Sequence, residues 1–485
     1  MKPYKKITPC TGKAMNATTE SGADEIAAYI QKARNAQEKI ANYTQEQVDE
    51  LVTAVCWAIV REDRAKELAK LAVDEGGFGN YNDKVSKIRN RCMGTLRDMQ
   101  AVKTVGIVEA FPEKGLIKIA KPVGVIAALI PTTGPDATPP LKSLLALKGR
   151  NAIIVAAHPR TQLTTELTVK YMREACEQVG APADLVQVIE KPSLSKTQQL
   201  MQQADLIVAT GGAAMVKAAY SSGTPAYGVG VGNSVHVVDE TADLDDAANT
   251  IAIAKKFDYA TSCLADNSVV AHESIYGGLI ERMQKLGAYL CNADEKTKLQ
   301  QLMWPTPENH IPSVDVIAKS PTHIAKLAGF NVPEDCSCLI VEENGAGPEY
   351  PFSGEKLSPV LALYKYGGDI SNAINQVNAI TEYQGQGHTC GIHTTNDDHA
   401  MALAMQTKTA RVMVNQSLNE GAGSPRNGLP YTLSLSCGTW GGNITTENVN
   451  ARHMVNLTWV SRPIKSNPLD ETYLFEKHWQ KYESL

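Results

Sequence analysis

The chain has 485 residues, 20% of them charged and 43% hydrophobic, with 47 Lys and Arg against 52 Asp and Glu for a net charge of −5. That length suggests two or three domains at about 100–200 residues each. The mild acidity favours neither nucleic acid nor an anionic membrane surface, and no stretch approaches about 18 uninterrupted apolar residues.

The start, Met1-Lys2-Pro3-Tyr4-Lys5-Lys6, is basic but no apolar signal core follows it, so a cytoplasmic protein is expected. Next come helices. Ile26, Tyr29, Ile30, Ala33 and Ile40 keep helical spacing, Thr44 to Gln47 reads as a capping box, Gly76-Gly77 is a stop signal, and Asp83 to Met99 continues as helix. After Thr104, residues 105–120 read as an extended ribbon turning at Pro112–Gly115. Strands and helices then alternate: 123–130, 152–157, 185–189 and 206–210 as apolar strands, with helices at 138–147, 164–179, 195–203 and 213–221. This alternation means a parallel sheet covered on both faces, the architecture that binds dinucleotides at strand C-terminal ends. A second α/β set follows, with helices over 244–256, 274–290, 369–380 and 397–406. Its strands are 235–238, 268–271, 339–342, 360–364, 389–393 and 411–414, and residues 454–461 form a last strand-like run before a charged tail.

Ten cysteines lie scattered without CxxC pairs, which excludes the common zinc patterns and fits reduced thiols; no metal site is expected. Cys263 falls between the helix ending at Lys256 and the strand opening at Ser268. A thiol on such a connection can be aimed by a rigid scaffold and attack a carbonyl as its thiolate. In isolation a small buried hydrophobe is the commoner meaning. Gly211 and Gly212 end one strand just before a helix, where backbone can approach a phosphate, although a tight turn would look the same. His158-Pro159-Arg160 offers donors at a neighbouring strand end, or is a solvated turn. Residues 227–233 hold Gly228, Gly230 and Gly232, implying close backbone approach or an unusual bend. A similar run, Cys437-Gly438-Thr439-Trp440-Gly441-Gly442-Asn443, reads as preceding a helix. Glu355 and His388 stand out as polar groups at strand ends.

In this order, the motifs resemble the aldehyde dehydrogenase superfamily, specifically its coenzyme A-acylating branch. They are residues 147–154, Thr210-Gly211-Gly212, residues 217–228, the Cys263 segment, Glu355-Lys356-Leu357-Ser358-Pro359, Gly387-His388-Thr389 and residues 437–443. The likeness runs from about residue 20 to 460 and is greatest to acylating sulfoacetaldehyde dehydrogenases. It implies a doubly wound nucleotide-binding domain (1–104 and 122–234 with 436–453), an α/β catalytic domain (235–435), and a small β oligomerisation element with a tail (105–121 and 454–485). It also implies a homodimer or homotetramer, NAD or NADP as cofactor, and coenzyme A and a small aldehyde as substrates.

By resemblance Cys263 is the nucleophile and its own N–H contributes to the oxyanion site; His388, with an unperturbed pKa of about 6.5, would assist proton transfer or be a structural histidine. Glu355 holds the nicotinamide ribose, and Gly211 and Gly212 flank the pyrophosphate, with Thr133, His158 and Gly230 also on the cofactor side. Hydrolytic relatives carry a water-activating glutamate in the segment aligned to 227–233. This chain has no carboxylate there, which favours thioester capture by a thiol. The oxyanion-site asparagine of many relatives falls in Pro131-Thr132-Thr133-Gly134-Pro135, where none is present and a threonine hydroxyl would have to substitute. Arg426 brings a cation to the expected aldehyde pocket, and Thr261 and Ser262 make the approach polar; together these suggest a small anionic aldehyde, with sulfoacetaldehyde foremost and succinate semialdehyde and acetaldehyde as alternatives. Arg426 facing solvent or the phosphates of coenzyme A is the competing explanation. A nicotinamide-independent cysteine acyltransferase, or a non-catalytic nucleotide-binding protein, would leave the motif order unexplained.

Overall fold

The computed structural model describes residues 16–306 and 310–483; Cys10 and the basic start lie outside the described residues. Helices fill 16–40, 45–60, 62–76 and 81–100. The capping box forms as expected: Thr44 Oγ1 accepts from Gln47 N and Gln47 Oε1 accepts from Thr44 N. Gly77 ends the third helix at φ +67, a conformation glycine adopts without penalty.

The ribbon is β1 (Gly106–Phe111) and β2 (Leu116–Pro122), antiparallel. A five-stranded parallel sheet follows, built from β3 (Val125–Leu129), β4 (Ala152–Ala156), β5 (Val186–Val188), β6 (Leu206–Thr210) and β7 (Ala226–Val229) in the order β5-β4-β3-β6-β7. From β3 the chain winds outward through β4 and β5, then crosses back and continues through β6 and β7. The crevice between the C-terminal ends of β3 and β6 is therefore the switch point, where such sheets take ligands.

A seven-stranded parallel sheet contains β8 (Val235–Val238), β9 (Ser268–His272), β10 (Ala288–Leu290), β11 (Cys338–Glu342), β12 (Val360–Tyr366), β13 (Cys390–His393) and β14 (Val412–Val414) in the order β10-β11-β12-β9-β8-β13-β14. Its strands are apolar on both sides with period two: Leu339, Val341, Val360 and Ala362 join one core, while Cys338, Ile340, Leu361 and Leu363 join the other. β15 (Val455–Ser461) pairs antiparallel with β2, closing a third, three-stranded sheet.

The expected elements are found, and the helices Ala293–Met303 and Pro321–Ala328 and the strand Ala226–Val229 are additional to them; three further differences follow. The helix expected over 274–290 is helical only over Tyr276–Lys285; Gly287 turns the chain at φ +89, and Ala288–Leu290 pair with β11 as an edge strand. No helix follows Asn443, where a single 3₁₀ turn at Thr439–Gly441 is closed by Gly442 in the left-handed region. The charged tail forms a helix, Glu471–Tyr482, with no buried residue.

Candidate active site

Cys263, Glu355, His388 and Arg411 have a common origin. Each lies in a segment leading into the N-terminal end of a strand of the seven-stranded sheet, respectively β9, β12, β13 and β14. Strand pairing therefore gathers residues up to 148 positions apart along one sheet edge. The link between β7 and β8 crosses this edge, and its glycines explain how closely. A methyl group at Gly232 would overlap Cys263, and one at Gly230 would lie 3.6 Å from Cys437 Sγ. Asn233 donates to the carbonyls of Ser353 (2.8 Å) and Gln384 (3.0 Å), tying the Glu355 and His388 loops to β8. Ser234 Oγ donates to the Cys263 carbonyl (3.1 Å).

His388 Nε2 is 3.2 Å from Cys263 Sγ. Burial, followed by repulsion from Arg411, lowers the imidazole to about 3, so the ring is a neutral proton acceptor across the working range. Among the described residues its buried Nδ1 has no partner, so no carboxylate there orients it. Burial first, then the field of Glu355, pushes the Cys263 thiol well above its ordinary value, while Arg411 pulls it down. The resting pair is therefore thiol and neutral imidazole. Replacing His388 by alanine is expected to slow aldehyde oxidation by about 10²–10⁴-fold, the scale of losing a positioned base, as measured by stopped-flow reduction of the nicotinamide.

Glu355 Oε1 accepts from Gly232 N (3.2 Å). The segment aligned to the hydrolytic glutamate is free of carboxylates, yet this carboxyl reaches the same strand link from another loop. Burial raises it to about 8, against the opposing pull of the Gly232 N–H, Lys356 and Lys255. Mostly protonated at neutral pH, it is a poor base for water.

The loop before Cys263 is strained: Asp258, Tyr259 and Ala260 all have φ between +49° and +56°. Asp258 clamps it. Its carboxylate accepts from Lys87 Nζ (2.6 Å), Thr261 Oγ1 (2.8 Å), Asn80 N (3.0 Å) and Lys84 Nζ (3.4 Å). Burial pushes this carboxyl up, but the two lysines and the hydrogen bonds from Lys87 and Thr261 outweigh it and hold it below its ordinary value.

On the cofactor side, Thr133 stands partly exposed just past the C-terminal end of β3, and Gly211 and Gly212 follow β6, so the switch-point crevice brings them together. Two features fit a phosphate group. The helix Ala213–Tyr220 has no side-chain cap, and a Cβ at Gly212 would meet open space. The Thr210 hydroxyl, buried without a partner among the described residues, is a further donor in the Thr210-Gly211-Gly212 motif. His158 follows β4 and its Nδ1 accepts from Arg160 N (3.2 Å).

Two residues expected at the substrate have internal partners. Arg426 is not buried: its side chain is 70% exposed and its guanidinium already meets an internal anion, Glu420 Oε1, at 2.7 Å. Thr261 turns its hydroxyl to Asp258 and so supports the loop. Ser262 Oγ accepts from Leu264 N (3.2 Å) beside Cys263. Away from this edge, Asp239, Glu240 and His399 bring ligand atoms within 4.8 Å of one another. Asp239 is already engaged by Thr241, Thr394 and His399.

The aldehyde dehydrogenase family profile matches residues 1–299. The chain belongs to the aldehyde dehydrogenase family. Its similarity places the enzyme in the acylating branch. It is 46% identical to a sulfoacetaldehyde dehydrogenase of Acholeplasma sp over 90% of both chains, and 42% identical to an acylating sulfoacetaldehyde dehydrogenase of Bilophila wadsworthia over 94% of this chain and 99% of the relative. An acetylating succinate-semialdehyde dehydrogenase of Clostridium kluyveri is 39% identical over 89% and 94%. Among solved structures, an acetylating aldehyde dehydrogenase from Geobacillus thermoglucosidasius superposes with TM-score 0.89 at 35% identity, covering 94% of this chain and all of that one. A Rhodopseudomonas palustris propionaldehyde dehydrogenase with bound CoA and an acylated cysteine superposes with TM-score 0.82 at 26% identity, covering 90% and 97%. The enzyme is an oxidoreductase that acts on aldehydes.

Proposed function

We propose that the enzyme oxidises a small anionic aldehyde, foremost sulfoacetaldehyde, to its acyl-CoA, using NAD or NADP and a thioester on Cys263. The observation that carries the substrate is the 42–46% identity, over at least 90% of the chain, to relatives named for sulfoacetaldehyde.

In this reading His388 Nε2 takes the Cys263 proton as the sulfur attacks the carbonyl carbon, forming a tetrahedral thiohemiacetal on Cys263. When bound, the nicotinamide supplies the hydride acceptor. Thr133, Thr210, Gly211 and Gly212 would hold its pyrophosphate side, with His158 and Gly230 nearby, and Glu355 its ribose. The Cys263 N–H faces the developing oxyanion. His388 then gives up its proton to solvent, accepts a second from the coenzyme A thiol as that sulfur attacks the thioester, and returns it to the expelled Cys263 sulfur. Thioester is exchanged for thioester, so the reaction is reversible. A protonated Glu355 adds no second base for water, which slows hydrolysis of the acyl-enzyme until the thiol arrives.

The test is nicotinamide reduction with coenzyme A on sulfoacetaldehyde, succinate semialdehyde and acetaldehyde, with NAD and NADP in turn. A preference for sulfoacetaldehyde supports the reading; equal rates, or a preference for acetaldehyde, would overturn it. Succinate semialdehyde is the second reading, supported by the Clostridium kluyveri relative. Because Arg426 is exposed and already paired, Arg426→Ala is expected to change KM for the preferred aldehyde by less than about threefold, the effect of an exposed ion pair.

Glu355 makes cofactor affinity pH-dependent. The carboxyl is neutral below about 8 and anionic above it, and only the anion accepts hydrogen bonds at both oxygens. KM for the nicotinamide cofactor should therefore fall as pH rises through 8, and Glu355→Gln should flatten that profile. Exposed Ile107, Leu457 and Trp459 on the three-stranded sheet support assembly as a homodimer or homotetramer.

A further inference from the structure

Arg411, immediately before β14, is 6% exposed and fully engaged. It donates from Nε to Asn448 Oδ1 (2.6 Å), from Nη1 to the His388 carbonyl (3.0 Å), and from Nη2 to the carbonyls of Ser436 (2.8 Å) and Thr446 (3.3 Å). Every one of these acceptors is neutral. A buried guanidinium ordinarily takes a carboxylate, because an uncompensated charge away from water is costly. Lys84 and Lys87 conform by sharing Asp258, and Lys148 meets Asp49, whereas Lys142, Lys356 and Arg150, like Arg411, donate to backbone carbonyls with no carboxylate partner among the described residues. Among the described residues no carboxylate pairs with Arg411.

The groups its charge does act on are two thiols, Cys437 and Cys263. The charged and titratable groups acting on Cys263 are Glu355, Cys437 and Arg411, with His388 in contact. Glu355 opposes a negative sulfur and His388 is neutral. Arg411 is thus the one fixed positive charge among the groups named at the nucleophile, held rigid by four hydrogen bonds, one of which also anchors the His388 backbone.

We propose that Arg411 is a positioning residue for the reaction: its unpaired guanidinium is the built-in counter-charge of the Cys263 thiolate, and the same fork holds His388 against the sulfur. The anion that Arg411 lacks at rest is the sulfur itself. When Cys263 loses its proton, the S–H bond breaks, the proton passes to His388 Nε2 or on to solvent, and the electron pair stays on sulfur within the field of the guanidinium. This rests on Cys263 being the attacking thiol, but its test does not depend on turnover.

The test is the pH profile of Cys263 alkylation by iodoacetamide, read by mass on the Cys263 peptide. Arg411→Gln should move the midpoint up by about one pH unit or more, the scale of losing a nearby opposite charge. Arg411→Lys, which loses the same fork but keeps the charge, should restore most of the shift. Asn448→Asp, which sets a carboxylate on Arg411 Nε without touching the arginine, should also raise the midpoint, and it carries the test if Arg411→Gln does not fold. A merely structural arginine would lower the thermal midpoint of all three variants and leave the alkylation midpoint in place. An unshifted profile in Asn448→Asp, or equal shifts in Arg411→Lys and Arg411→Gln, would overturn the proposal. If instead the profile shifts as expected but no acyl group is ever found on Cys263, it is the catalytic reading that fails.

Discussion

Replacing Cys263 with alanine is expected to remove coenzyme A-dependent nicotinamide reduction by a factor on the order of 10⁶, the scale of losing a covalent nucleophile. The reason is geometric as well as chemical. His388 Nε2 is within 3.2 Å of this sulfur, and the other cysteines among the described residues are buried. Cys437, the thiol nearest in electrostatic terms, is held above its ordinary value at about 11 by burial and packs against Gly230 and Gly441. It offers no substitute. Cys263→Ala should fold normally, since the side chain is only partly buried and carries no hydrogen bond that holds the fold together. Wild-type thermal stability with no turnover would isolate the chemistry. Residual turnover above about 1% of wild type would mean that another group attacks the aldehyde.

The second large effect is on stability. Asp258→Ala should lower unfolding free energy by about 3–5 kcal/mol, the range for breaking a buried ion pair from one side. Lys84 and Lys87 would be left buried with their shared carboxylate gone, and three left-handed residues ahead of Cys263 would lose their clamp. Urea denaturation measures the first consequence, and slower Cys263 acylation the second. Asp258→Asn should keep the Asn80 and Thr261 contacts in part and lose less. The pH dependence has a definite sign. Because the folded carboxyl is held below its ordinary value, its contribution is complete above the unfolded value of about 3.9 and is lost as pH falls through the lower folded one. Wild type should therefore lose stability in acid more steeply than Asp258→Asn. Equal acid sensitivity would remove Asp258 as the clamp.

The residues that meet at the catalytic edge were legible because each lies in a short polar or glycine-rich break between apolar strands. Cys263, Glu355 and His388 could be picked out singly, and the parallel sheet then had to bring strand ends together. The glycines at 230 and 232 announced a close approach; the structure identifies what they approach, Cys263 and Cys437. Charge partners were not legible. Lys84 and Lys87 look like a solvated helix face until Asp258, more than 170 residues later, folds against them. Arg426 looked like a substrate anchor because Glu420, six residues earlier, gave no sign of claiming it. Arg411 went unmarked because its partners are backbone carbonyls and an amide, which leave no pattern in a sequence. The strand at Ala288–Leu290 was absorbed into the preceding helix because only its pairing with β11 distinguishes it.

The central claim is an acyl group held on Cys263 and released by a thiol. Mass analysis of the enzyme incubated with sulfoacetaldehyde and oxidised nicotinamide cofactor, with coenzyme A withheld, tests it directly. The expected result is one acyl adduct on the Cys263 peptide that persists and then disappears when coenzyme A is added. An unmodified Cys263 peptide after cofactor reduction, or steady release of free acid without coenzyme A, would contradict it.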